Sequence, residues 1–237
     1  MGRVMLASAC MALLLAAGAN ASGKEYAPTF WAALGKNPAK GMSITRKVAQ
    51  AAGMKGYLSA PHIATFFPPD DEAWRQLLAG DMKISVQELL LPANRGLLRE
   101  LVKSLIVPGK RIFTPNWPKW PKKDWYQTAQ PGNKIGLEMD DGGSRPGDIF
   151  DVDGTDDDAE LVPKSWVINL ICGPGVMQTV DDVPTWKGWK ARVLKNVKKA
   201  RLAGRSSASH VDTTPGRRPC RGGSKACKPF AVTGRSG

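Results

Sequence analysis

Apolar residues recur along the first half of the chain at the spacing of helices and along the second half at the spacing of strands. Thr29 to Leu34 places Phe30, Trp31 and Leu34 on one side, and Ile44 to Met54 repeats the helical pattern with Ile44, Val48, Ala51 and Ala52. Ile63-Ala-Thr-Phe-Phe67 reads as a short buried strand stopped by Pro68-Pro69. Asp70, Asp71 and Glu72 then suit a helix start, because acids meet the positive end of the helix dipole, and Ala73 to Ala79 continues that helix. Val86 to Leu91 and Arg95 to Val107 predict two more helices, the second with Leu97, Leu98, Leu101, Val102 and Leu105 inward and Pro108-Gly109 ending it.

Beyond residue 110 the apolar runs are shorter. Lys134 to Met139 alternates as a strand, followed by an Asp140 to Gly143 turn signal. Ile149 to Val152, Ser165 to Ile171 and Val176 to Val180 predict further strands. Helices first and strands later predict an α+β domain.

The two ends of the chain read differently. Arg3, the apolar run Val4 to Ala17 and the small residues Ala19-Asn-Ala21 have the three-part layout of a secretory signal peptide, assigned to residues 1–21. That run is shorter than the roughly 20 residues a bilayer span needs, and no later segment reaches that length. The expected protein is secreted to an extracellular or cell-wall location, without a transmembrane segment. Beyond the leader three cysteines remain, Cys172, Cys220 and Cys227. Cys220 and Cys227 are close enough in sequence to close a small loop, which leaves Cys172 as a buried thiol or an intermolecular link; the pairing stays open.

Charge changes the picture of the other end. The formal net charge is +13. Fourteen of the 34 basic residues, but only one of the 21 acids, Asp212, lie from Lys187 onward. That segment therefore carries the whole excess, and the rest of the chain is balanced. Lys190 to Leu202 predicts a basic helix with few apolar positions (Val193, Leu194, Val197 and Leu202), and beyond Gly204 the chain is rich in Gly, Ser, Pro and Arg. Residues 190–237 are accordingly expected to form a basic, mostly disordered tail outside a domain at 24–189. Its Lys195, Lys198, Lys199 and Arg201 are candidate contacts for an acidic polysaccharide or matrix protein. Secretion argues against a nucleic-acid partner.

With this order of elements in hand, the motifs resemble those of the fasciclin (FAS1) family. Ala64-Thr-Phe-Phe-Pro-Pro-Asp-Asp-Glu-Ala-Trp74 resembles its first signature, and Gly175-Val-Met-Gln-Thr-Val-Asp-Asp-Val-Pro184 its second. Phe30 to Leu34, Ala51 to Gly53 and Ile106-Val-Pro-Gly-Lys110 fall where the family has its opening helices and its helix-to-strand segment. The resemblance implies a single FAS1-like domain, with the helices of the first half packed on a mixed β-sheet wedge, and a non-catalytic adhesion or matrix role. This sequence has Ser104-Leu105 where the family usually has a Tyr-His pair, and Gln178 where the second signature has His. The family's receptor contact at that pair is therefore not carried over.

Two segments stand out against the family pattern. Residues 111–126 look inserted; Trp117, Trp120 and Trp125 alternate there with prolines and with Lys119, Lys122 and Lys123. Indole faces can stack on sugar rings or cover the domain's own core, and the lysines can meet acidic groups. Asp148 to Glu160 is acid-rich, but Gly154 is misplaced for a helix-loop-helix calcium loop, and a solvated acidic loop is expected. No nucleophile elbow, phosphate-binding glycine loop or local metal-ligand set is present, so no catalytic residue, metal or cofactor is assigned. His62, beside Pro61, reads as a loop or core residue.

Overall fold

The computed structural model describes residues 26–36, 41–116, 118, 122, 124–138, 148–150, 159–162 and 168–208. The expected leader, the Asp140 to Gly143 turn, most of the acidic loop and the cysteines at 220 and 227 lie outside them.

Two sheets form the β layer. The first has the order β1-β8-β9-β2-β3, from Tyr26–Ala27 (β1), Leu170–Cys172 (β8), Gly175–Met177 (β9), Ala64–Phe66 (β2) and Ile106–Pro108 (β3). The pairs β1 with β8 and β2 with β9 are parallel, and the others are antiparallel. The two stretches that carry the family signatures are thus direct neighbours, with Thr65 opposite Val176 and Phe66 opposite Met177. The second sheet is wholly antiparallel, in the order β4-β5-β6-β7: Asp124–Gln127 (β4), Lys134–Glu138 (β5), Asp148–Phe150 (β6) and Ala159–Glu160 (β7).

Strand alternation explains how the first sheet serves two cores. Phe66 and Ile106 point into the main helical core, whereas their neighbours Phe67 and Val107 join a second core with Ile112, Ile135, Leu137, Leu161 and Val180. The double Phe at the end of β2 therefore serves both cores.

The helices cover the other face of the first sheet. They are Phe30–Ala33 (α1), Ser43–Ala51 (α2), Lys55–Ser59 (α3), Asp71–Arg75 (α4), Val86–Leu89 (α5) and Arg95–Ser104 (α6). Asp70 caps α4 by accepting a hydrogen bond from the Ala73 N–H at 2.8 Å. Asp71 acts at a distance: α2 has no side-chain cap of its own, and the Asp71 carboxylate accepts from the Ile44 N–H (2.7 Å) and the Ser43 hydroxyl (2.8 Å). Trp74 Nε1 donates to Thr45 Oγ1 (2.7 Å), which donates to the Pro69 carbonyl (2.6 Å). One short acidic stretch thus locks α2 to α4.

Three expectations need correction. The helix expected to run through Ala79 widens to π-helical over Gln76–Met82 and ends on left-handed Lys83; this keeps Leu77, Leu78 and Met82 buried. The helix expected to reach Val107 stops at Ser104, because the β-branched pair Ile106-Val107 pairs with β2 instead. The domain boundary expected after residue 189 falls inside a helix, Trp189–Ala208 (α7), whose Trp189, Val193 and Val197 are buried in the main core. Their spacing of four residues makes one inward stripe, so the first part of the expected tail is a packed element. Leu194 is partly buried and Leu202 is exposed. Residues 209–237 lie outside the described part.

Candidate polyanion-binding surface

Helix α7 separates its residues by face. On the inner side Trp189 Nε1 donates to the Leu97 carbonyl (3.2 Å), and the Asn196 amide donates to Ala93 O and Asn94 Oδ1, both at 3.0 Å. Three flanking bases meet carboxylates on neighbouring elements: Lys190 with Asp81 (2.5 Å), Arg192 with Glu100 (3.4 Å) and Arg201 with Glu88 (2.6 Å). The Glu88 carboxyl is drawn down to about 2, first by the Arg201 hydrogen bond and then by the Ser85 backbone N–H.

Lys195, Lys198 and Lys199 occupy the outward side at helical spacing and are exposed. Among the described residues none of the three has an ion-pair partner. Arg201 was expected to belong with them, but its guanidinium is taken up by Glu88. The helix therefore spends part of its charge on docking and presents the rest to solvent. Sequence reading located the charge on this helix and missed the acids Asp81, Glu88 and Glu100, which are scattered over distant elements.

The Trp-rich segment is described in part. Trp117, Lys119, Trp120 and Lys123 lie outside the described residues; Lys122 is exposed. Trp125 sits on β4 opposite Gly136 of β5. Its six-membered ring lies so close over Gly136 that a methyl group there would meet it at 3.3 Å, yet the residue is 50% exposed. One face of the indole rests on the sheet. Next to it Tyr126 donates to Asp124 (3.2 Å) and lies under Lys110, whose Nζ is 4.8 Å from the ring centroid. Burial and the nearby Asp124 push the Tyr126 phenol up. Strand β4 packs on β5 and β3, and α7 on α5, α6 and the turn Pro92–Asn94, so the two candidate groups belong to different elements.

The start of the expected insertion is built into the core. Ile112 N–H donates to Thr65 Oγ1 (2.8 Å), which donates to Lys110 O (3.0 Å). Gln178 is fully buried; its amide donates to Ile112 O (3.0 Å) and Asn169 Oδ1 (2.7 Å) and accepts from Asn169 N–H (2.8 Å). The position where the family signature has His thus holds a neutral structural hub. Ser104, at the usual Tyr-His pair, is buried and donates to Leu101 O (2.7 Å). Asp181 accepts from the Glu160 N–H (2.8 Å), tying β7 to the segment after β9; burial raises its pKa. His62 stacks on Tyr57 at 4.4 Å and donates from Nε2 to the Tyr57 carbonyl (2.9 Å). Cys172 is a buried free thiol, and burial pushes it up to about 12. Among the described residues no three His, Cys, Asp or Glu side chains cluster as metal ligands, and no helix is long and apolar enough to cross a membrane.

These features define an α+β domain of FAS1-like fold. The chain is similar to a solved FAS1 domain pair from the insect cell adhesion molecule fasciclin I, at 14% sequence identity and a TM-score of 0.55. The match covers 68% of this chain and 52% of that one, so this chain spans about half the length of the pair. No protein-family model and no curated protein matches the sequence.

Proposed function

We propose that this chain is a secreted, non-catalytic adhesion module of the extracellular matrix or cell wall, and that it holds an acidic polysaccharide on the outer face of α7. The observation that carries the reading is the division of that helix. Its apolar stripe and three ion pairs fix it to the globule, while Lys195, Lys198 and Lys199 stay exposed and together. Lysines on a docked helix meet a linear polyanion with less loss of backbone freedom than lysines on a free chain. The FAS1-like fold and the leader-like residues 1–21 support an extracellular adhesion role.

The test passes the full-length protein over immobilised polygalacturonate and over a sulfated glycosaminoglycan. Retention should fall with salt, and the variant Lys195→Gln/Lys198→Gln/Lys199→Gln should lose most of it with an unchanged thermal melt. Equal retention of variant and wild type would refute the reading. A second reading rests on Trp125, whose half-exposed indole on Gly136 makes a flat platform for a sugar ring. It requires salt-resistant retention that Trp125→Ala abolishes.

A further inference from the structure

A groove of about 330 Å³ lies where three elements meet, and neither the lysine face nor Trp125 contributes to it. Glu100 of α6 lines one side, the β4–β5 turn with Gln130 and Asn133 forms the lip, and Trp186 and Lys187 lie in the segment leading into α7.

The lip is held in shape by its own hydrogen bonds. Thr128 N–H donates to Asn133 O (3.0 Å), Asn133 N–H donates to Gln130 O (3.1 Å), and the Thr128 hydroxyl accepts from Gln130 N–H (3.2 Å). Gly132 supplies the left-handed position of the turn, with φ +80°. Ala129 N–H donates to Ile106 O at 2.7 Å, so the turn is tied to the first sheet. Trp186 packs partly into the main core and meets Trp189 edge-on, with ring centroids 6.3 Å apart. Among the described residues, the half-buried carboxamides of Gln130 and Asn133 have no hydrogen-bond partner.

We propose that this groove binds a neutral pyranose unit. The lining supplies what such a ring needs. Two carboxamides each offer donors and an acceptor, the Glu100 carboxylate, which meets Arg192 through Oε2, has lone pairs left to accept from hydroxyls, and the indole offers an apolar surface for ring C–H groups. The volume is at the small end of ligand sites, which suits one or two sugar units. Glu100 and Lys187 both line the groove, so its formal charges cancel, which matches a ring without charge. The preformed lip lowers the ordering cost of binding.

The test uses full-length protein and a panel of neutral methyl glycosides and N-acetylglucosamine, read by the Trp186 and Trp125 indole N–H resonances. At least one sugar should shift Trp186 with millimolar affinity and leave Trp125 in place. That affinity should be insensitive to salt and weakened roughly tenfold or more by Gln130→Ala/Asn133→Ala. Glu100→Gln should weaken it without unfolding the protein, as a melt and the remaining resonances will show. The proposal is overturned if no neutral sugar moves Trp186 at high millimolar concentration, if only acidic sugars do so, or if the turn variant binds as tightly as wild type. Loss of polyanion retention in the lysine variant leaves this site unaffected, so the two readings stand or fall separately.

Discussion

Gln178 shows how one side chain can carry a local architecture. It joins the end of β9 to Ile112 and Asn169, and its three hydrogen bonds leave its polar atoms satisfied in a fully buried position. Gln178→Leu keeps the volume but strands the Ile112 carbonyl and the Asn169 N–H, while Asn169 Oδ1 keeps the Thr114 N–H at 3.1 Å. It should lower stability by roughly 2–4 kcal/mol. Denaturant unfolding checks this, and a variant as stable as wild type would show that the hub is dispensable. Cys172 illustrates the other use of burial. A thiol pushed up to about 12 and shielded from solvent has almost no thiolate at neutral pH. It should resist alkylation in the folded protein and react at the ordinary rate in denaturant, which mass spectrometry distinguishes. Position 178 was legible as part of a signature strand, but its partners were not: Ile112 and Asn169 are 66 and 9 residues away. Periodicity says which way a side chain faces and is silent on which distant amide it meets.

Among the elements, α7 differs most from expectation. Its charge dominated the sequence, and four apolar residues in a basic segment looked too few to hold it. Trp189 lay just outside that basic run, and it is the largest buried side chain of the helix. Trp189→Ala should cost about 3–5 kcal/mol, if the cavity is not refilled, and differential scanning calorimetry measures it. The ion pair of Arg201 with Glu88 adds a pH dependence. Glu88 has a folded-state pKa near 2 against an ordinary value of 4.5. Its contribution is therefore fully present above about 4.5 and is lost as pH falls through about 2. The Glu88 carboxyl resonance should titrate near the lower value; a midpoint near 4.5 would mean that Arg201 is not held. Helices α2 and α6 were easier to read, because their inward stripes are continuous. Strand β4 was hidden because proline-rich sequence precedes it and, among the described residues, only β5 pairs with it.

For the whole molecule, the two signature stretches meet as β2 and β9 at the centre of the first sheet, with a core on each face. Both stretches were legible in the sequence as buried signature strands, and their pairing with each other is a finding of the structure. The distribution of charge did not follow from the sequence. Docking through Asp81, Glu88 and Glu100 moves part of the basic segment onto the globule and turns three of its lysines into a fixed face. The polysaccharide reading depends on that docking. Amide hydrogen exchange of the full-length protein tests it most directly. The amides around Val193 and Val197 should be protected as strongly as those of Arg95–Ser104 and should open with them in denaturant. Rapid exchange across 190–203, with Arg95–Ser104 still protected, would contradict a docked helix and remove the fixed lysine face.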